Sequence, residues 1–267
     1  MRLPPKDIAV FQEAVADLTM KVARPLIWHN VREPWPKRLF GGSCFILRFD
    51  AGLIGVTAEH VIRAFEEAKK SSAKIVCLLR TVPFDISGAI VGRNVELDIA
   101  TFRLTEDELT RSEAVAIDCR AEWPPPEPDK GTALSLAGFP EELKNASSYS
   151  SVKFAAYVNM PFAEDVTYRD IIATYDPQRD MRVRAAPELP DLGANLSGCS
   201  GGPVLMHVER NGCHRWFPVG LILRGPRADA TPREYDTFQF RRIHFVNADG
   251  SVKHQNVGCL PNRPGLM

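Results

Sequence analysis

An all-β fold in two halves is what this chain predicts, and three observations carry that expectation. Short apolar runs recur along its 267 residues, punctuated by 18 glycines and 21 prolines. Stretches with helical spacing of apolar residues are few. The run Trp123-Pro124-Pro125-Pro126-Glu127-Pro128 forms a stiff, extended connector that divides the chain. Many short strands with frequent glycine and proline build barrels or sandwiches. A chain of this length can bury a sizeable core, in one large domain or two small ones.

Taken in order, Ile8, Phe11, Val15, Leu18 and Val22 fall on one face at helical spacing, which predicts an amphipathic helix over Lys6–Lys21. Gly41–Phe49 and Leu53–Ala58 form a hairpin across the turn Asp50-Ala51-Gly52. Glu59, His60 and Val61 lead into a short helix through Ala68. Strands are expected at Lys74–Arg80, Gly88–Val91 and Leu97–Leu104, and Thr105 and Glu108 have capping-box spacing. After the connector, strands are expected at Thr132–Phe139, Val152–Val158 and Asp170–Tyr175. Pro203–Val208 and Phe217–Leu223 pair across Glu209–His214. Phe238–Val246 reads as strand or helix, and the Asp249-Gly250 stop favours a C-terminal helix. The units are then an N-terminal helix (1–26), a first β-unit (27–120), the connector (121–130), a second β-unit (131–237) and a C-terminal helix and tail (238–267).

Composition narrows the function. Basic and acidic residues balance at 33 each, so no global attraction draws the chain to nucleic acid or to an anionic membrane. No apolar run approaches the roughly 18 residues of a membrane span, and Met1–Asp7 lacks the apolar core of a secretory signal. Cys44, Cys77, Cys119, Cys199, Cys213 and Cys259 lack CxxC spacing and read as reduced thiols, so a cytoplasmic location is expected.

The chemistry centres on Gly198-Cys199-Ser200-Gly201-Gly202-Pro203. A serine between glycines, followed by the apolar run Val204-Leu205-Met206, has its hydroxyl presented on a tight turn with backbone N–H groups beside it. Such a hydroxyl needs a base, and imidazole is the usual one. Of six histidines, His60 ends an apolar run on Thr57-Ala58 and is the best placed; His29, His207, His214, His244 and His254 lie in polar or chain-end surroundings. Asp98, an acid in the apolar segment Leu97–Phe102, needs a partner if buried and suits the orienting carboxylate. The bland alternatives are a glycine-rich turn, a structural histidine and a turn-capping aspartate.

Together these segments resemble the trypsin-like (chymotrypsin-fold) serine peptidases, in particular the intracellular bacterial type without a signal peptide. Val56-Thr57-Ala58-Glu59-His60 is similar to the family's histidine motif, Asp98-Ile99-Ala100 to its aspartate motif, and Gly198–Pro203 to its serine motif, in the chain order His, Asp, Ser. The resemblance runs from about Gly41 to Gly225. It implies two antiparallel β-barrels, with His60 and Asp98 from the first and Ser200 from the second. It also implies an oxyanion hole from the N–H groups of Gly198 and Ser200, and a substrate site at Leu223, Arg224 and Gly225, with Asn195 and Gly225 lining the primary pocket and Ala194 at its base. No acid stands at the pocket base, which argues against a preference for Lys or Arg, and Arg224 would favour acidic groups.

The chain departs from the family at Glu59, which replaces a small residue, and at Cys199, which replaces an acid that pairs with a freed N-terminus in secreted zymogens. The expected function is a serine endopeptidase with a polypeptide substrate, no cofactor, no metal and a regulatory protein partner; oligomeric state is left open. The alternative is a catalytically silent fold that binds or senses peptides, and an esterase using the same relay is a third reading. A zinc site from Cys213, His214, His254 and Cys259 matches no compact template.

Overall fold

The helical spacing of Phe11, Val15 and Val22 produces helix α1 (Pro5–Val22), with proline at its first position, where no backbone N–H is needed. The helix runs directly into strand β1 (Ala23–Asn30). The computed structural model describes residues 5–34, 39–72, 74–141, 144–148, 151–154, 156–174, 196–210, 212–225 and 237–253. Helix α1 does not pack mainly on the strand it feeds. Ala16 is fully buried in a cluster with Ala137, Phe139 and Val158 of the chain's second half, and the Thr19 hydroxyl reaches Ser135 at 2.9 Å.

The expected hairpin is β2 (Phe40–Phe49) with β3 (Gly52–Thr57), closed by Asp50-Ala51 and a glycine at φ +119°. Helix α2 (Glu59–Ser71), β4 (Ile75–Leu79) and β5 (Val82–Pro83) follow. The strand expected from Gly88 starts later. Asp85 accepts the Gly88 N–H and caps the short helix α3 (Ile86–Ala89), so β6 occupies Ile90–Asn94. Then come β7 (Ile99–Leu104), α4 (Glu106–Arg111) and β8 (Ala116–Asp118). At α4 the capping box is complete: the Glu108 N–H reaches the Thr105 hydroxyl at 3.2 Å, and the Thr105 N–H reaches the Glu108 carboxylate at 2.8 Å. These strands form one sheet in the order β5-β4-β1-β2-β3-β7-β6. Long β2 pairs antiparallel with β1 along its first half and parallel with β8 along its second.

The second half supplies β9 (Leu134–Gly138), then the separate hairpin β10 (Lys144–Ser148) and β11 (Ser151–Phe154). It continues with β12 (Tyr157–Asn159), β13 (Ala163–Val166), β14 (Asp170–Thr174), β15 (Pro203–Arg210), β16 (Cys213–Arg224) and β17 (Thr237–Arg242). Their antiparallel order is β12-β9-β15-β16-β17-β14-β13. The all-β class, with two mainly antiparallel units and an N-terminal helix, is therefore the architecture observed. No helix among the described residues is long and apolar enough to cross a membrane.

The C-terminal helix is a correction. Phe238 and Phe240 alternate into the second core as strand residues, and β17 pairs with both β16 and β14. A single 3-10 turn (Ile243–Phe245) ends it. Asp249-Gly250 belongs to a tight turn: the Gly250 N–H bonds to the Asn247 carbonyl, and Val246 bridges Val252. This last segment leaves its own sheet. Ile243, Phe245, Val246 and Val252 pack with Phe45, Ile54 and Phe102 in the first core. From the connector, Trp123 lies edge-on to Phe49 and donates its indole N–H to the Val246 carbonyl at 3.0 Å.

Candidate active site

His60 is the second residue of α2, and Asp98 closes the turn between β6 and β7. The Asp98 backbone is left-handed, φ +55°, a conformation that aspartate tolerates better than most residues. Upstream, the Asn94 side chain accepts the Leu97 N–H at 2.9 Å and shapes this turn. The carboxylate meets His60 twice. Oδ1 accepts the His60 backbone N–H at 2.9 Å, and Oδ2 lies 2.7 Å from the ring Nδ1. The first contact also caps α2, whose N-cap residue, Ala58, offers no side-chain acceptor. Burial pushes the Asp98 carboxyl up. The ring and backbone hydrogen bonds from His60, with the Arg63 cation nearby, more than offset it and hold the group below the ordinary carboxylate range. An ionised carboxylate accepts a hydrogen bond from Nδ1–H, which fixes the ring's orientation and leaves Nε2 as its other nitrogen.

Ser200 sits on a turn gripped from both halves. Gly198 and Gly201 take φ +97° and +86°. A Cβ on Gly201 would collide with the Ser43 carbonyl and the Thr57 hydroxyl, so only glycine brings the turn this close to β2 and β3. From the first sheet the Ser43 N–H bonds to the Ser200 carbonyl at 2.8 Å; from the second, the Ile222 carbonyl accepts the Gly201 N–H at 2.7 Å. The Ser200 hydroxyl donates to the Leu223 carbonyl at 3.2 Å, and no hydrogen bond joins it to His60. Among the described residues, no acceptor takes the N–H of Gly198 or of Ser200.

The sequence reading passed over Ser43. This fully buried hydroxyl accepts the Phe139 N–H at 2.9 Å and donates to the Gly198 carbonyl at 2.8 Å, fixing the peptide that precedes Cys199. Its only signal was a polar residue in an otherwise apolar strand. Cys199 is buried at 1 % exposure, against Gly138.

Among the proposed substrate-binding residues, Leu223 contributes the carbonyl just described. Arg224 is exposed at the end of β16, and Gly225 lies against Phe238 and Leu196. Ala194 and Asn195 lie outside the described residues, as do His254 and Cys259. Among the described residues no group of three or more His, Cys, Asp or Glu is placed to hold a metal. His214 instead pairs with His207, Nδ1 to Nε2 at 2.8 Å.

No family model and no curated protein matches this chain. Solved structures align with it weakly. The protease Anisep from Arthrobacter nicotinovorans aligns at 11 % identity and a TM-score of 0.44, over 83 % of this chain and 90 % of that one. A structure concerned with the coupled folding and binding of the Sesbania mosaic virus VPg protein aligns at 11 % identity and 0.41, over 84 % and 93 %. Alignments at these scores assign neither family nor activity, so the chemistry of the site rests on its own geometry.

Proposed function

We propose that this chain is a serine endopeptidase of the trypsin-like kind, acting through Ser200, His60 and Asp98. The observation that carries the reading is the two-point grip of Asp98 on His60, which fixes the ring and its tautomer together. In the proposed cycle the Ser200 hydroxyl turns from the Leu223 carbonyl toward His60 and attacks the scissile carbonyl carbon. Nε2 takes the hydroxyl proton, and the N–H groups of Gly198 and Ser200 receive the negative oxygen. His60 then protonates the departing amine; water, deprotonated by the same ring, attacks the acyl carbon, and the ring returns that proton to the Ser200 oxygen as the acid departs. Asp98 stays ionised throughout and stabilises the charged imidazole. An extended peptide would lie along Leu223, Arg224 and Gly225, with Ala194 and Asn195 at the primary pocket and Arg224 favouring acidic side chains. The chemistry needs no cofactor. The buried thiols Cys44 and Cys119, each pushed up to about 12 by burial, are unreactive and fit a cytoplasmic setting.

One observation favours a second reading. The Ser200 hydroxyl is engaged by Leu223 rather than by His60, as suits a silent peptide-binding module. A fluorophosphonate probe with adduct mapping separates the two. Phosphonylation at Ser200, absent in Ser200→Ala and slowed about 10⁴-fold in Asp98→Asn, is the expected result. A folded protein that forms no adduct at Ser200 would leave the binding module. Cleavage of a peptide library against hydrolysis of simple aryl esters then distinguishes peptidase from esterase.

A further inference from the structure

His60 and Asp98 sit on separate elements, helix α2 and the β6–β7 hairpin, so their 2.7 Å contact depends on how those elements are held together. Arg93, on β6, is placed to hold them. Its Nε and Nη2 donate to one oxygen of Glu59 at 3.0 and 2.7 Å, and its Nη1 and Nη2 donate to the two oxygens of Glu66 at 2.8 and 2.9 Å. Glu59 and Glu66 lie two turns apart on one face of α2, so a single planar guanidinium grips the helix at two levels. Glu59 directly precedes His60 in the chain and is 1 % exposed. A carboxylate that deep requires an opposite charge. Arg63 is the other cation near it, 3.5 Å from its second oxygen and half exposed. The first turn of α2 has no side-chain cap of its own. Its placement therefore depends on two outside anchors, Asp98 at the His60 N–H and Arg93 at Glu59.

We propose that Arg93 is a positioning residue for the His60–Asp98 pair: through Glu59 and Glu66 it fixes the start of helix α2 against the β6–β7 hairpin, so that imidazole and carboxylate meet before substrate arrives. The inference rests on the hydrolase reading for its consequence and on the ion-pair geometry for its content. It also gives Glu59 a role. The acid beside the histidine faces neither the ring nor water, and serves as the attachment point for Arg93.

The test uses the full chain with ¹⁵N-labelled histidine and the variants Arg93→Lys, Arg93→Met and Glu59→Gln/Arg93→Met. The double variant leaves no lone buried charge and so guards against simple unfolding, which near-UV circular dichroism monitors. The direct readout is the His60 Nδ1 proton resonance, strongly deshielded by its bond to Asp98. It should move upfield or vanish in the folded double variant and in Arg93→Met. Phosphonylation of Ser200 should slow about 10²-fold in both, since a displacement near 1 Å costs that much. Arg93→Lys keeps the charge but loses the fork, and should recover stability while staying about tenfold slow. An unchanged Nδ1 resonance in a folded variant without Arg93 would overturn the proposal, even if the melting temperature fell. Absence of labelling in the native chain would overturn the hydrolase reading instead, and the resonance would still decide the role of Arg93.

Discussion

His244 follows β17 in the 3-10 turn, its ring 4.9 Å from that of Tyr168 and 4.1 Å from that of Phe245. Among the described residues neither ring nitrogen has a hydrogen-bond partner. Burial, with Arg242 and Lys253 nearby, pulls its pKa down to about 4. The ordinary value is about 6.5, so between these limits the unfolded chain binds the proton and the folded chain does not. Stability from this residue is therefore complete above about pH 6.5 and is lost as pH falls toward 4. The urea midpoint should drop between pH 7 and pH 4.5, and His244→Phe should flatten that part of the curve. An identical slope in the variant would remove His244 as the cause. Asp98 has the opposite chemistry: its lowered carboxyl contributes above the ordinary carboxylate range and is lost only in stronger acid. At this scale the His60–Asp98 contact and the glycine-flanked turn of Ser200 were legible because each stands in a short motif whose neighbours already constrain it. Ser43 and Arg93 were not. Their meaning lies in Gly198 and Phe139, or Glu59 and Glu66, and nothing beside them in sequence names those distant partners.

The elements came through where local pattern and tertiary environment agree. The β2–β3 hairpin, the α4 capping box and the β15–β16 pair all follow from alternation, turn residues or cap chemistry. Helix α1 was legible as a helix, but its seat was not. The contact is made by Ala16, fully buried against Ala137, Phe139 and Val158, and an alanine gives no sign in sequence of how close its neighbour comes. Ala16→Leu should overfill this contact and cost about 1–3 kcal/mol in urea unfolding; an unchanged midpoint would mean that the helix is seated differently. The end of the chain misled for a related reason. Two phenylalanines and two arginines in Phe238–Arg242 fit either period, and a glycine after Asp249 resembles a helix stop. Pairing with β14 and β16 decided for the strand, which only the assembled sheet could do.

Across the whole molecule, each half borrows from the other. Helix α1, which leads into the first sheet, packs against the second; the segment after β17, the last strand of the second sheet, completes the core of the first. Ile243, Phe245 and Val246 are almost wholly buried there and Val252 nearly so. Buried apolar side chains contribute about 1.5–3 kcal/mol each, so together they rival the entire 5–15 kcal/mol of a typical domain. A chain stopped after Arg242 should bind a hydrophobic dye and lose cooperative unfolding, and a sharp native-like transition would contradict this account. The proline-rich connector stands out in composition. The exchange across it does not, because it depends on which apolar surface each end meets after both sheets exist.

The same terminal segment touches the hairpin that holds Asp98. Lys253 accepts the Asn94 side-chain amide at 3.1 Å, and Gly250 accepts the Thr101 hydroxyl. During translation, that hairpin therefore waits unsupported until residues near Val252 clear the ribosomal exit tunnel. Fragments released early from stalled ribosomes would carry His60, Asp98 and Ser200 yet lack the contacts that brace the hairpin around the acid.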